Sequence, residues 1–450
     1  MDLPVRFVER MKSLLGNEYD EFAKCLDSSE YKALRLNMRK MGELTVSKLP
    51  FNTEAHPFIK NGFYYDEKDE PGRSPYHMAG LYYIQEPSAM APAFYLDAAP
   101  HEKVLDLCAA PGGKTTQIAE MMENTGLLVS NEINKERARI LSENIERMGL
   151  KNTVCTNMDP AALSEKFTEY FDKICVDAPC SGEGMFRKND EAITNWSEDN
   201  VKMCALRQAE ILDEADKMLK PGGRMVYSTC TFSKEENEDN IEAFIERHKE
   251  YKVEKVTYYP GLSKGLAPID DAIRLFPHKF KGEGHFVAVL KKIGEEGIEN
   301  KALKPIKGIN EKDLKAYREF EDKYLSVKLS GEFFRMGDTL YLAPEYMPDL
   351  KKLYVLRSGL ILGEIKKDRF EPDHAFAMYL LPSMMKEEYV TVIKEDSDVA
   401  IKYLHGETIE DEKSAKGYHL ITIDGISAGW GKSDGRIIKN HYPKGLRIRY

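Results

Sequence analysis

The sequence predicts an α/β chain built around a doubly wound parallel sheet, with a helical region before it and a mixed α+β region after it. Three observations lead there. From about Leu81 to Lys292, short apolar runs alternate with amphipathic helical stretches, the pattern of strands joined by crossover helices. A glycine-bearing turn, Asp106-Leu-Cys-Ala-Ala-Pro-Gly-Gly-Lys114, sits between one such run and a helix. Outside these limits the alternation stops, and a Gly- and Lys/Glu-rich stretch from Ile293 to Ile309 reads as a linker.

The first 60 or so residues read as helical. Phe7, Met11, Leu14 and Leu15 recur at helical spacing, and Gly16 offers a stop. A basic segment, Arg35-Leu-Asn-Met-Arg-Lys40, follows, and Pro71, Gly72 and Pro75 mark a boundary loop. The runs Val104–Leu107, Leu127–Val129, Thr153–Cys155, Ile174–Val176, Arg224–Tyr227 and Phe286–Leu290 read as buried strands. Between them, Ala138, Leu141, Ile145 and Met148 share a helical face, as do Leu212, Ala215 and Leu219, while Ile241, Phe244 and Ile245 mark another helix. Beyond the linker the chain becomes mixed helix and short strands, with a further boundary near residue 385.

Composition narrows the function classes. An apolar fraction of 42% with 31% charged residues suits a globular protein. No apolar run approaches the roughly 20 residues of a membrane span, and Met1–Arg10 has no apolar core of a secretory signal. A cytoplasmic protein without a membrane partner is expected. The seven cysteines are odd in number and form no Cys-x-x-Cys pair, against a disulfide framework and a thiolate zinc site; no metal is expected. Net charge is −10, but six basic residues between Lys432 and Tyr450 (Arg449 among them) face one acid, Asp434. Such a local patch either tracks phosphates or is a solvated tail.

The Asp106–Lys114 turn brings backbone close to a ligand and ends on a helix N-terminus. Acids recur at later strand ends. Glu132 follows the strand at 127–130, where a carboxylate accepts both hydroxyls of a ribose. Asp159 follows 153–155, placed for an adenine amino group, and Asp177 closes 173–176. Together they suggest an adenosine-containing cofactor.

Two more strand ends carry cysteines: Asp177-Ala-Pro-Cys180-Ser-Gly-Glu-Gly184 and Ser228-Thr-Cys230-Thr231. If the sheet is parallel, both thiols reach the crevice that holds Asp177. Two thiols and an acid suit methylation at cytosine C5, a carbon too weakly nucleophilic to take a methyl group unaided. A thiolate adding at C6 makes C5 an enamine carbon, an acid such as Asp177 drains charge at N3, and a base then removes the C5 proton. A nearby cation such as Lys114 raises the thiolate fraction. Cys108, Cys155, Cys175 and Cys204 read as packing residues. Chemistry alone leaves either Cys180 or Cys230 as nucleophile.

Asp-Leu-Cys-Ala-Ala-Pro-Gly-Gly-Lys-Thr, Asp-Ala-Pro-Cys-Ser-Gly-Glu-Gly and Ser-Thr-Cys, in this order, resemble the Fmu/Sun family of RNA 5-methylcytosine methyltransferases. The likeness is to the RsmF-like bacterial branch, which acts on small-subunit ribosomal RNA. Met185-Phe-Arg-Lys188, Gly429-Trp-Gly-Lys432, His441 through Arg447 and Leu3 through Tyr19 support that branch. The resemblance implies a helical, RNA-binding N-terminal region over 1–75 and a Rossmann-like methyltransferase domain over 76–293. A linker and α+β accessory region would fill 294–384, and a PUA-like RNA-binding domain 385–450. It implies S-adenosylmethionine held by Cys108, Ala109, Ala110, Pro111, Gly112, Gly113, Lys114, Glu132, Asp159 and Asp177. It makes Cys230 the nucleophile and Cys180 the thiol of product release. The expected substrate is 16S ribosomal RNA, free or in an assembling small subunit, with transfer RNA as an alternative; a monomer is expected.

The target base must be unstacked to be reached face-on. Phe186, Arg187 and Lys188 sit just beyond Cys180 to stack on or clamp it, and Phe276–Lys279 is expected near the same mouth. Trp430 and Tyr442 suit a small RNA-binding fold, with Trp430 in its core. The competing readings are a DNA-cytosine or adenine-N6 methyltransferase and a non-catalytic ribosome-assembly factor. Adenine-N6 chemistry needs no thiol, and a scaffold has no need of Asp177, Cys180 and Cys230 together.

Overall fold

The computed structural model describes residues 1–448 except 43, 45, 67, 295–302, 368 and 413. Part of the expected linker, and Arg449 of the basic tail, lie outside the described residues.

The central sheet has ten strands: β1 (Lys103–Asp106), β2 (Leu127–Asn131), β3 (Thr153–Thr156), β4 (Phe171–Asp177), β5 (Leu219–Thr229), β6 (Tyr251–Val253), β7 (Leu262–Lys264), β8 (Ile273–Leu275), β9 (His285–Lys292) and β10 (Val355–Ser358). Their spatial order is β7-β8-β9-β5-β4-β1-β2-β3-β10, with β6 on β9. The five strands β3-β2-β1-β4-β5 are parallel, so their carboxyl ends share one edge and the order reverses between β1 and β4. Alternate residues feed opposite cores. Val104 and Leu128 pack on one face with Ile118, Leu141 and Ile145, whereas Leu105 and Val129 pack on the other with Leu212 and Ala215. Every residue of β2 and β3 is buried, as strands covered on both faces require.

Helices α1 (Gly113–Met121), α2 (Lys135–Arg147), α3 (Glu198–Met218) and α4 (Glu238–Arg247) cover the sheet. The expected face of α2 (Ala138, Leu141, Ile145) is buried, and Asn134 caps the helix by accepting from the Glu136 and Arg137 amides.

Two expectations are corrected. The strand at 286–290 belongs to the sheet but runs antiparallel to β5, pairing Phe286 with Thr229. After α4 the chain runs again in the direction of β5 through β8 and returns in the hairpin to β9, so β9 enters the sheet against the direction of β5. The N-terminal region is helical mainly through Leu26 (Val5–Leu15 and Tyr19–Leu26). It then forms an antiparallel sheet of Thr53–Ala55, Gly62–Tyr65, Lys32–Leu36 and Tyr82–Ile84. Arg35, in the basic segment Arg35–Lys40, is fully buried. It pairs with Glu120 at 2.8 Å and donates to Thr116 Oγ1 at 2.7 Å, fixing this sheet to α1.

After β9 the chain forms a four-stranded sheet (Phe333–Met336, Thr339–Leu342, Leu360–Lys366, Arg369–Pro372) and a five-stranded one built on Gly417–Ile423 and Ile426–Ser433. Between the first sheet's strands it sends β10 back to extend the central sheet beside β3. Trp430 is buried as expected, its indole N–H donating to the Asp373 carbonyl at 2.8 Å. Leu34 and Leu36 of the N-terminal sheet share a core with Ile421 and Ile423 of the C-terminal one. Among the described residues no helix is long and apolar enough to cross a membrane.

Candidate active site

The turn after β1 is shaped by its glycines. Gly112 has φ +116°, and a Cβ there would lie 3.2 Å from Leu141 Cδ1; one at Gly113 would lie 3.1 Å from the Gln85 amide. Ala109 and Ala110 are buried beneath the turn, the Pro111 carbonyl accepts from Asn144, and that of Ala110 accepts from Arg137. Asp106, at the end of β1, is fully buried. Its Oδ2 accepts from the Thr115 hydroxyl at 2.7 Å, while Oδ1 has no partner among the described residues. Burial pushes its pKa up to about 7. At the end of β2, Glu132 is buried, accepts from the Asn134 amide at 2.8 Å and lies 3.5 Å from Arg137. Asp159 is exposed past β3 and caps a short helix through the Ala161 amide at 2.9 Å. Cys108 is held far above the usual thiol range by burial and then by Asp106, so its thiol keeps its proton. A narrow glycine turn, an unpartnered buried carboxylate oxygen and acids at successive strand ends fit an adenosine-bearing cofactor.

The other half of the crevice is built by β4 and β5. Their register sets Asp177 beside Ser228, so the loops that follow bring Cys180 and Cys230 together with their sulfurs 3.0 Å apart. The Cys230 amide donates to the Cys180 sulfur at 3.3 Å. The hydrogen bond with Cys230, and then burial, push the Cys180 thiol well above its ordinary range, so it keeps its proton at neutral pH.

Asp177 receives Lys114 Nζ on Oδ2 at 2.6 Å and the Ser228 hydroxyl on Oδ1 at 2.7 Å; His285 Nε2 lies 3.4 Å from Oδ1. Burial raises its pKa, but Lys114 and His285 outweigh that and hold the carboxylate well below the usual range. Burial lowers Lys114, and Asp177 more than restores it. The pair is therefore ionised. Lys114 carries the proton, and its charge is engaged by Asp177.

Three of the side chains expected to meet the base, Phe186, Arg187 and Phe276, are buried or paired within the protein. Phe186 is 1% exposed and packs edge-on against Phe7 at 4.9 Å. Arg187 is paired with Glu283 at 2.7 Å, both side chains 2% exposed, and Lys188 is paired with Glu30 at 3.2 Å. Phe276 is buried and stacked on Phe232. Phe186, Arg187 and Phe276 seat the N-terminal helices against the thiol loops, whereas the Lys188 side chain is partly exposed and Lys279 is exposed, paired with Glu18 at 2.7 Å. Sequence reasoning missed His285 and the open oxygen of Asp106. Only the antiparallel pairing of Val287 with Ser228 brings His285 beside Asp177, and nothing local signals it.

A glycine turn and strand-end acids past β1–β3 that suit a nucleoside-bearing cofactor, with a thiol pair past β4 and β5, would set a group donor and a nucleophile along one sheet edge. That is the division of labour of a Rossmann-like methyltransferase. Comparison with known proteins gives the same class. Residues 93–291 match the family model described as 16S rRNA methyltransferase RsmB/F. Residues 3–87 match the N-terminal domain of 16S rRNA methyltransferase RsmF, 319–380 its first C-terminal domain and 390–448 its PUA domain. Ribosomal RNA small subunit methyltransferase F of Vibrio vulnificus is 33% identical over 99% of this chain and 97% of its own length. The Shewanella loihica protein of that name is 33% identical over 87% and 83%. Among solved structures, a methyltransferase homolog from Pyrococcus horikoshii is 31% identical with a TM-score of 0.56, covering 64% of this chain and 94% of that one. NSun6 from Pyrococcus horikoshii with SFG is 25% identical with a TM-score of 0.57, covering 65% and 99%. The chain belongs to the 16S rRNA methyltransferase RsmB/F family. It is an S-adenosylmethionine-dependent RNA methyltransferase, and cytosine C5 is the atom its family methylates.

Proposed function

We propose that the substrate is a cytosine of 16S ribosomal RNA and that Cys230 is the attacking thiol. The observation that carries this reading is the 3.0 Å approach of the Cys180 and Cys230 sulfurs beside the Lys114–Asp177 pair. Full-length likeness to small-subunit ribosomal RNA methyltransferases supports the substrate. The match of 390–448 to a PUA domain supports RNA binding by the C-terminal region, with 1–75 as a second RNA-binding region. We propose a cytoplasmic monomer.

S-Adenosylmethionine supplies the methyl group when bound, held by Cys108 to Lys114, Glu132, Asp159 and Asp177. The Cys230 thiolate adds to C6, forming a C–S bond and moving electron density to C5. Asp177, ionised, accepts from the exocyclic amino group, and Lys114 supplies positive charge as negative charge builds on the ring. Cys180 yields its proton to solvent once Cys230 is committed to the adduct. Its sulfur then takes the C5 proton, the C6–S bond breaks and Cys230 leaves as thiolate. One proton is released for each methyl group transferred.

The test is labelled-methyl transfer to 16S transcripts, assembled small subunits and transfer RNA by the wild type, Cys230→Ala and Cys180→Ala. Label in 16S RNA as 5-methylcytosine, an inert Cys230→Ala and a covalent RNA adduct of Cys180→Ala are expected. An adduct formed by Cys230→Ala would reverse the thiol roles, and label in transfer RNA alone would replace the substrate.

A further inference from the structure

One buried network joins the two loops that carry the thiols. Glu236, beyond β5, is fully buried. Its carboxylate accepts the Ser181 amide at 3.0 Å, the Ser181 hydroxyl, and the Gln208 amide nitrogen at 2.7 Å. The same Gln208 nitrogen donates to the Pro179 carbonyl at 3.0 Å. The Tyr227 hydroxyl lies 2.6 Å from the Glu236 carbonyl oxygen and 3.0 Å from Gln208 Oε1. Across the gap, the Ser181 and Thr231 hydroxyl oxygens are 2.8 Å apart. Both chain neighbours of Cys180, and the residue after Cys230, are thus tied to one carboxylate. The Cys180 sulfur itself bonds only with Cys230 among the described residues, so its place is set through its backbone.

We propose that Glu236, acting through Ser181 and Gln208, is a positioning residue that holds Cys180 against Cys230 for the release of methylated RNA. The inference rests on the reading of Cys180 as the release thiol. A buried donor left without its acceptor is expensive, and the three donors converging on Glu236 would lose theirs together. Burial pushes the Glu236 carboxyl up to about 7.

The test is a single-turnover reaction with labelled methyl donor and RNA that separates adduct formation from the appearance of free product. Glu236→Gln keeps the volume and turns one acceptor oxygen into a donor facing the Ser181 and Gln208 donors. Adduct formation at the wild-type rate is expected, with release slowed about 10- to 100-fold, the effect of a small misplacement of a reacting group. Gln208→Ala, which frees Pro179 and leaves the carboxylate, is expected to slow release in the same sense; it carries the test if Glu236→Gln does not fold. Release at the wild-type rate, or equal slowing of both steps with a lower Tm, overturns the positioning role. Cys180→Ala is run in parallel. If that variant releases product normally, the release reading of Cys180 falls instead, so the two failures are told apart.

Discussion

Cys180 and Cys230, 50 residues apart in the chain, hold their sulfurs 3.0 Å apart, and neither is fully buried. Two thiols this close and partly exposed are set for oxidation to each other. Brief treatment with diamide is expected to abolish methyl transfer, with recovery in dithiothreitol. Peptide mapping should find a Cys180–Cys230 cross-link; inactivation without it would contradict the geometry.

The Lys114–Asp177 pair is expected to support both catalysis and stability. Lys114→Met should lower methyl transfer at least ~100-fold. Because the folded-state pKa of Asp177 is depressed, its contribution to stability is present above the ordinary carboxylate range and is lost only as pH falls through its lower folded value. Wild type and Lys114→Met should thus differ most in Tm near neutrality and converge in strong acid. Equal Tm values at pH 7 would show that the pair is not formed in solution.

Asp106 behaves in the opposite sense. Its folded pKa is raised to about 7, so the stability tied to its protonated form is complete below about pH 4 and is lost as pH rises through 7. In cofactor-free protein, Asp106→Asn should remove that loss, on the order of 4 kcal/mol at most. Its affinity for S-adenosylmethionine should fall, since Oδ1 is the open acceptor. A pH–Tm profile unchanged by the substitution would refute the assignment.

Arg187→Ala tests whether the segment after Cys180 serves packing or RNA contact. Removing one partner of a buried ion pair costs roughly 3–5 kcal/mol, and here Glu283 would be left behind with the Gly282 carbonyl. A lowered Tm with unchanged RNA affinity at permissive temperature is expected. Weakened RNA binding without a change in Tm would restore the clamp.

Much of the site was legible because its chemistry is local. The glycine turn, the strand-end acids and both cysteine loops each sit on a few consecutive residues whose strands announce themselves as apolar runs. Phe186, Arg187 and Phe276 misled for the same reason. An aromatic or arginine beside a catalytic loop reads alike whether it faces solvent or, as here, a helix from the first 26 residues.

The sequence by itself determined the parallel sheet, the class of cofactor, and which acids and thiols gather at its carboxyl edge. These follow from strand periodicity and from the rule that ligands collect beyond strand ends. Tertiary structure decided the protonation of Asp177, the presence of His285 and the network around Glu236. Each depends on distant segments brought into contact, and a carboxylate's charge is set by what surrounds it rather than by its neighbours in the chain.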